Sequence, residues 1–521
     1  MATILQIDMD SFFASCEQQA NPGLRGIPIA VSGDPKSRTV VAAASKEAKR
    51  FGVRSAMTIG DARALCPQIQ FVLGDPDKYV EVSRRVIAIL GSFTPDVEVT
   101  SIDEAFLDVS GWCERWACAE CDAATSPSRS PSCQEGEKKR SWCGAIQLAR
   151  EIKRRIRDGV GEWITCSIGI APNKRLAKLA SEFDKPDGLV VVCADADSPS
   201  IVCPRSSFRP ERAGSEWSGG IPGRSEISRL ACSSLEMTKM KMISRSELLA
   251  SLKLRDLCGI GARIEARLNT MGIVTVGALA AAPIERLVAE FGKYGRELHD
   301  MAIGHDASSV QADDAEPKSM GHAVTLPKDL HTLAEIQPVV EELSEKVAAR
   351  LRRHGYRGST IHVTVRFRDF TSRGEQTTLY DATDDGLRIS REVMLILQRD
   401  FLPLPPGGGV GGPPATPASG LAWRAGGGAF QNPIRLVGVS VSKFVRSDSE
   451  QSSLFSKDRR WRAATVALDA ANNRYGDWAV QRASLLVSER VVRRVAAAFR
   501  ATSHLKSTPP LAPPLGEGEK Q

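Results

Sequence analysis

The chain has 521 residues, which as a prior means three or four domains, and its 42% hydrophobic content is ample for several cores. Its 69 Lys and Arg against 62 Asp and Glu leave a net charge of +7, a mild basic excess compatible with a polyanionic partner without establishing one. The opening MATILQIDMDSFFASCE lacks the basic start of a secretory signal, and no later stretch has the roughly 20 apolar residues of a membrane span, so a cytoplasmic protein with mostly reduced cysteines is expected.

Residues 3–8 (TILQID) are a short apolar run that ends at a carboxylate and leads into a helix-like SFFASCEQQA. Residues 96–109 (DVEVTSIDEAFLDV) alternate apolar and polar on either side of Ser101–Glu104, as in a strand pair with a tight connection. Residues 113–142, polar and rich in Ser and Cys, read as a flexible insertion, and 144–157 predict an amphipathic helix with a basic outer face. TCSIGIAPNKRLAKLASEFDKPDGLVVV then reads strand, helix, loop, strand. Residues 195–245 and the Pro/Gly-rich 403–430 read as two further flexible insertions, and the tail after about 500 reads the same way: none buries enough apolar surface to offset its ordering entropy. The strand Thr360–Arg368 alternates cleanly, with Ile361, Val363, Val365 and Phe367 toward a core and His362, Thr364, Arg366 and Arg368 outward. Arg350, Arg352, Arg353, Arg357 and Arg373 lie nearby and suggest a basic, phosphate-contacting face, against the alternative of a merely solvated one.

Nucleotidyl transfer needs positive charge against the reacting phosphate, and two divalent ions roughly 4 Å apart on hard oxygen ligands provide it. Asp8 and Asp103 suit a bridging pair, Glu104 completes one ion, and Met9 offers a backbone carbonyl to the other. Adjacent carboxylates in a regular strand point to opposite faces, so Asp103 and Glu104 share a site only at a turn. An Asp-x-Asp or Asp-Glu pair alone is as readily a cap or a solvated turn.

Taken in order, IDMDSFFASCE, SKEAKRFGVRSAM, SIDEAFLDVSG and SIGIAPNKRLAKLASEFDKPDGL, then LCGIGARIEARLNTMGI, KSMGHAVTLP and PIRLVGVSVS, closely resemble the Y-family, lesion-bypassing DNA polymerases of the polymerase IV type. The resemblance runs from residue 2 to about 485, the three insertions excepted. It implies an α+β, multidomain right-hand polymerase: palm at 1–20 and 76–191, fingers at 21–75, a helical thumb at 192–310 and a little-finger sheet domain at 317–446. Residues 447–521 form a C-terminal region with a disordered tail.

By that resemblance Asp8, Asp103 and Glu104 are catalytic ligands of two magnesium ions. A primed DNA template and deoxynucleoside triphosphates are the substrates, and error-tolerant synthesis without proofreading is the activity. Phe13 takes the place of the steric gate, whose ring leaves no room for a ribose 2′-hydroxyl, with Phe12 beside it; both also suit a helix core. Lys185 matches the triphosphate-binding lysine. Lys46 and Lys49 stand where the family has a tyrosine and an arginine, with Ala43 where it has a hydroxyl. Two point charges replace a hydroxyl and a bidentate fork and are expected still to grip the triphosphate, less rigidly, against the alternative of two solvated lysines on a helix face.

Gly259 and Gly261 resemble a helix-hairpin-helix that offers backbone N–H groups to DNA phosphate. Arg366 and Arg368 are the little-finger contacts. Gln451, Leu454 and Phe455, in QSSLF, resemble a sliding-clamp peptide. Cys118 and Cys121 have zinc-knuckle spacing but lie in an insertion with no histidine near and no second Cys-x-x-Cys, so zinc is not expected. Beside an active, monomeric polymerase stand a non-catalytic DNA- and clamp-binding accessory relative and another palm-fold enzyme such as a nucleotide cyclase. The first normally lacks the acidic ligands, all of which are present here, and the second leaves the hairpin, the basic sheet and QSSLF unexplained.

Overall fold

A computed structural model describes residues 2–35, 38–116, 133–193, 240–312, 316–402, 429–447, 456–475 and 479–480. Cys118, Cys121, Gln451, Leu454, Phe455 and the tail lie outside these residues. The chain divides into two units, one holding most of residues 1–314 and the other most of 315–495.

The first unit is built on a six-stranded sheet in the order β5-β6-β1-β7-β8-β9. Its strands are β1 (Ile4–Met9), β5 (Val97–Val99), β6 (Glu104–Asp108), β7 (Cys166–Ala171), β8 (Leu189–Cys193) and β9 (Met240–Ser244). The apolar run at residues 3–8 becomes β1 at the centre, wholly buried and antiparallel to both β6 and β7. A central strand covered on both faces needs apolar side chains on both, and Leu5, Ile7 and Met9 pack with α1 (Phe12–Ala20), α4 (Pro76–Gly91) and α5 (Cys133–Gly159). On the opposite face Ile4 and Phe106 pack against α6 (Lys174–Phe183). Gly169 in β7 permits that approach: a Cβ there would lie 2.0 Å from the Ala177 carbonyl oxygen.

A smaller three-stranded sheet of β2 (Ile29–Ser32), β3 (Val41–Ala44) and β4 (Gln70–Leu73) carries the short helices α2 (Lys46–Arg50) and α3 (Ile59–Leu65) around a core that includes Ala30, Val41, Ala48 and Ala62. Ser45 starts α2 by accepting from Ala48 N–H. After β9 come the helices α7 (Arg245–Ser251), α8 (Ala262–Thr270), α9 (Val276–Ala280), α10 (Ile284–Phe291) and α11 (Lys293–Ile303), whose core is continuous with that beneath α6.

The second unit is an antiparallel sheet in the order β10-β13-β11-β12, from β10 (Ser319–Thr332), β11 (Tyr356–Phe367), β12 (Ser372–Thr383) and β13 (Ala429–Arg446). The helices α12 (Leu333–Arg353) and α13 (Gly386–Asp400) bury their apolar faces with Ile361, Val363 and Val365, as the alternation in β11 predicts. The helix α14 (Ser456–Tyr475) follows. No helix among the described residues is long and apolar enough to cross a membrane.

The bounds of all three insertions are corrected. Cys113–Trp116 forms a turn of 3-10 helix and α5 begins at Cys133, so these stretches of 113–142 are structured. Trp142 and Cys113 are fully buried, and Gly144 packs so closely on the turn that a Cβ would overlap the Cys113 carbonyl. Charged helix formers from EGEKKR onward continue the amphipathic helix, and their polarity masks it. Residues 240–245 are likewise strand and helix start, with β9 pairing parallel to β8 and a Ser244–Glu247 capping box opening α7. Residues 429 and 430 already belong to β13, where Phe430 is buried. The basic face is thinner than expected too. Arg350 donates to the Gly321 carbonyl, Arg352 is paired with Glu345 and Asp469, and Arg357 is buried, so these guanidiniums hold the unit together. Arg366, Arg368 and Arg373 are exposed.

Candidate active site

Strand pairing brings the carboxylates together. Asp8 at the end of β1 lies opposite Glu104, the first residue of β6, and Met9 N–H donates to the Asp103 carbonyl at 2.9 Å. The connection between β5 and β6 is tight, with Thr100 N–H donating to the Glu104 carbonyl at 3.1 Å, so Asp103 sits in the turn just before the strand. Asp8, Glu104 and Glu182 each offer an oxygen within 4.8 Å of the others. Asp103, expected in this group, is not one of its members, and Glu182 takes that place; the Asp103 Oδ1 accepts from Ser101 Oγ at 2.5 Å.

Two lysines answer this negative charge. Lys185 Nζ lies 2.7 Å from Asp8 Oδ1 and 2.8 Å from Glu182 Oε1, and Lys178 Nζ lies 2.7 Å from Glu104 Oε2. Burial pushes the Asp8 carboxyl up to about 8, more than Lys185 pulls it down, and burial raises Asp103 as well. Lys178 is held above the usual lysine range: burial works against its charge, and Glu104 outweighs it. Carboxylates drawn together in this way, with Asp8 buried, Glu104 half-buried and Glu182 exposed, suit a cation, and hard carboxylate oxygens are the donor set that divalent ions such as Mg²⁺ or Mn²⁺ take. The residues therefore fit a divalent-metal site.

Phe13 is buried and stacked on Tyr79, with centroids 4.4 Å apart and ring planes at 18°, and Phe12 packs beside it at 5.8 Å. Tyr79 is fixed in turn by donating to Glu17 Oε1 at 2.7 Å, while Lys78 pairs with Glu17 Oε2. Lys49 on α2 is exposed, yet desolvation, with Lys185 adding to it, lowers its affinity for a proton; Asp10, Asp8 and Glu182 act in the other direction. Lys46 Nζ donates to Thr165 Oγ1 at 2.7 Å.

In the hairpin, Gly259 has φ +104, which suits glycine, and Tyr294 donates to its carbonyl at 2.9 Å. The space a Cβ would take at Gly261, the cap of α8, is open. Arg366 donates to Ser372 Oγ at 3.0 Å at the end of the outer strand pair.

Sequence reasoning missed Glu182, Lys178 and the partners of Asp10. Asp10 accepts from Thr165 Oγ1, Ser167 Oγ and the Asp187 N–H at 2.7–2.8 Å. The available signal was the period of two: Thr165 and Ser167 alternate onto one face of the strand that pairs with the Asp8–Asp10 end of β1.

Comparison with known proteins accords with this geometry. Residues 7–182 match the impB/mucB/samB family, 317–454 match that family's C-terminal domain, and 255–306 match the thumb domain of DNA polymerase-iota. The chain is 35% identical to DNA polymerase IV of Moorella thermoacetica, over 94% of this chain and 98% of that protein. It is 32% identical to DNA polymerase IV of Pelotomaculum thermopropionicum, over 94% and 97%. A solved Y-family DNA polymerase chimera shares the fold with TM-score 0.58 and 21% identity, over 85% of this chain and 99% of that one. These matches define a nucleotide-polymerising enzyme, and the chain belongs to the Y family of DNA polymerases, with relatives of the polymerase IV type. Its activity is that of a translesion, DNA-directed DNA polymerase acting on a DNA template and nucleotides, and Y-family polymerases generally need divalent metal. The reading as a non-catalytic accessory protein is not favoured.

Proposed function

We propose that this polymerase adds deoxynucleotides to a primer 3′ end by two-metal-ion nucleotidyl transfer, with magnesium held by Asp8, Asp103, Glu104 and the Met9 backbone carbonyl. The observation that carries the reading is the pairing of Asp8 opposite Glu104, with Asp103 one residue away in the turn. Bound divalent ions supply positive charge against the reacting phosphate and the attacking and leaving oxygens. The chain's own residues do the rest. Lys185 and Lys49 give the triphosphate compact positive charges, and Lys185 leaves Asp8 to do so. Phe13, held by Tyr79 and flanked by Phe12, closes the sugar side against a 2′-hydroxyl.

The same reading assigns residues 1–20 and 76–191 to the palm, 21–75 to the fingers, 192–310 to the thumb and 317–446 to the little finger. The open N-terminus of α8 at Gly261, with Gly259, and the exposed Arg366 and Arg368 hold DNA by its phosphates, so binding weakens as salt rises. Gln451, Leu454 and Phe455 engage a sliding clamp, an assignment that rests on the QSSLF sequence. The enzyme works as a cytoplasmic monomer without proofreading.

Primer extension with Asp8→Asn tests the metal assignment. The variant keeps the shape and loses the charge, and it is expected to lower incorporation at least about a thousandfold while DNA affinity holds. Incorporation within tenfold of wild type would remove Asp8 from the metal site.

A further inference from the structure

We propose that Lys46 is a positioning residue: it ties the small sheet and its helices to the large sheet through Thr165 and Asp10, and it leaves the triphosphate to Lys49 and Lys185. The proposal rests on the reading that those two lysines bind the nucleotide.

Lys46 opens the five-residue helix α2 and is half-buried. Its ammonium has protons to give and no lone pair, so Thr165 Oγ1 accepts from it at 2.7 Å. The threonine hydroxyl has one proton, and it goes on to Asp10 Oδ2 at 2.7 Å. The direction of the relay is therefore fixed, from Lys46 through Thr165 to Asp10.

Asp10 is a junction. It is 3% exposed, and a buried carboxylate is costly unless its oxygens are filled and its charge balanced. Ser167 Oγ fills Oδ1, and Thr165 Oγ1 shares Oδ2 with the backbone N–H of Asp187. Asp10 N–H also donates to the Thr165 carbonyl at 2.9 Å. Asp10 lies two residues after Asp8, and Asp187 two residues after Lys185. One carboxylate thus fixes the strand end that carries the metal ligand and the loop that carries the triphosphate lysine. Lys46 brings α2 to the same anchor and adds a positive charge one hydroxyl away from it.

Lys49, three residues on, takes no part in the relay. It is exposed and lies in the field of Lys185, Asp10, Asp8 and Glu182. The two lysines of α2 therefore divide the work: Lys46 sets where the helix sits, and Lys49 meets the substrate. A group that acts by placement alters the bound complex's progress to the transition state more than it alters nucleotide affinity, because the flexible Lys49 side chain still reaches the triphosphate when α2 shifts slightly.

Steady-state primer extension separates the two roles. Lys46→Met and Thr165→Val are each expected to lower kcat about tenfold with KM for the nucleotide changed less than twofold. The double variant is expected to be no slower than the slower single one, since both cut one relay. Thr165→Ser, which keeps the hydroxyl, is expected to restore wild-type kcat. If Thr165→Val fails to fold, the kcat-against-KM split of Lys46→Met decides alone. A KM raised fivefold or more by Lys46→Met with kcat unchanged, or losses that multiply in the double variant, overturns the proposal. Lys185→Met in the same assay tests the underlying reading separately: an unchanged nucleotide KM there would remove Lys185 from the triphosphate whatever Lys46 does.

Discussion

At the scale of single residues, the site is a set of acids whose charge the fold both concentrates and answers. Phe13 illustrates how, in the proposed function, position gives an ordinary core residue a task. It is stacked on Tyr79, and Tyr79 is anchored to Glu17, so the ring is held from behind; in the proposed function this backing keeps it from yielding to a larger sugar. Phe13→Val is expected to cut discrimination between deoxy- and ribonucleotides roughly a hundredfold, read as the ratio of kcat/KM values; unchanged discrimination would make Phe13 core alone. His322 carries a separate prediction. Desolvation, with Lys346 and Arg350 nearby, holds it down to about 4 from an ordinary 6.5. The unfolded chain therefore binds this proton more readily than the folded unit does. Stability from the neutral ring is complete above pH 6.5 and is lost as pH falls toward 4. His322→Gln is expected to flatten the fall in denaturation midpoint across that window, and a fall as steep as wild type would contradict it. That the Asp8 strand end lies beside the Asp103–Glu104 turn was legible because the apolar run ends at Asp8 and the alternation of 96–109 breaks at Ser101–Glu104. The Asp10 relay was not, because Thr165 is 155 residues away and only the β1–β7 pairing brings the hydroxyl to the carboxylate.

At the scale of elements, β1 does most to create the site. Its pairing with β6 puts Asp8 opposite Glu104, and its pairing with β7 puts Asp8 opposite Ser167. Slipping either register by one residue would turn Asp8 to the other face. The alternation of 96–109 and of Thr360–Arg368 was readable because one face of each strand is buried. The ends of the insertions were not, because a charged helix start and a strand entered from Gly-rich sequence look the same as loop in composition. Trp142 distinguishes the two cases. It is fully buried, and Trp142→Ala is expected to cost about 3–5 kcal/mol in denaturant unfolding. A change below about 0.5 kcal/mol would return this residue to a flexible insertion. Helix α6 shows how an element serves two ends at once. Asn173 at its start holds the Gly304 carbonyl of the segment after α11, and its later turns bring Lys178 and Glu182 to the carboxylates.

At the scale of the whole molecule, two units are joined in one chain: a sheet-and-helix body with the carboxylates, and an antiparallel sheet that presents arginines. The net charge of +7 said little, because much of the positive charge is spent internally, as Arg350, Arg352 and Arg357 illustrate. The ordered set of motifs said far more, since each lands on different elements, five motifs in the first unit and two in the second. The most direct test of the central claim is single-nucleotide incorporation by the Asp103→Ala/Glu104→Ala double variant beside wild type, in magnesium, with binding to primed DNA measured in parallel. Wild type is expected to extend the primer, and the variant to bind the DNA with similar affinity and fail to extend it. Extension by the variant at a rate near wild type would show that the chemistry does not depend on these carboxylates.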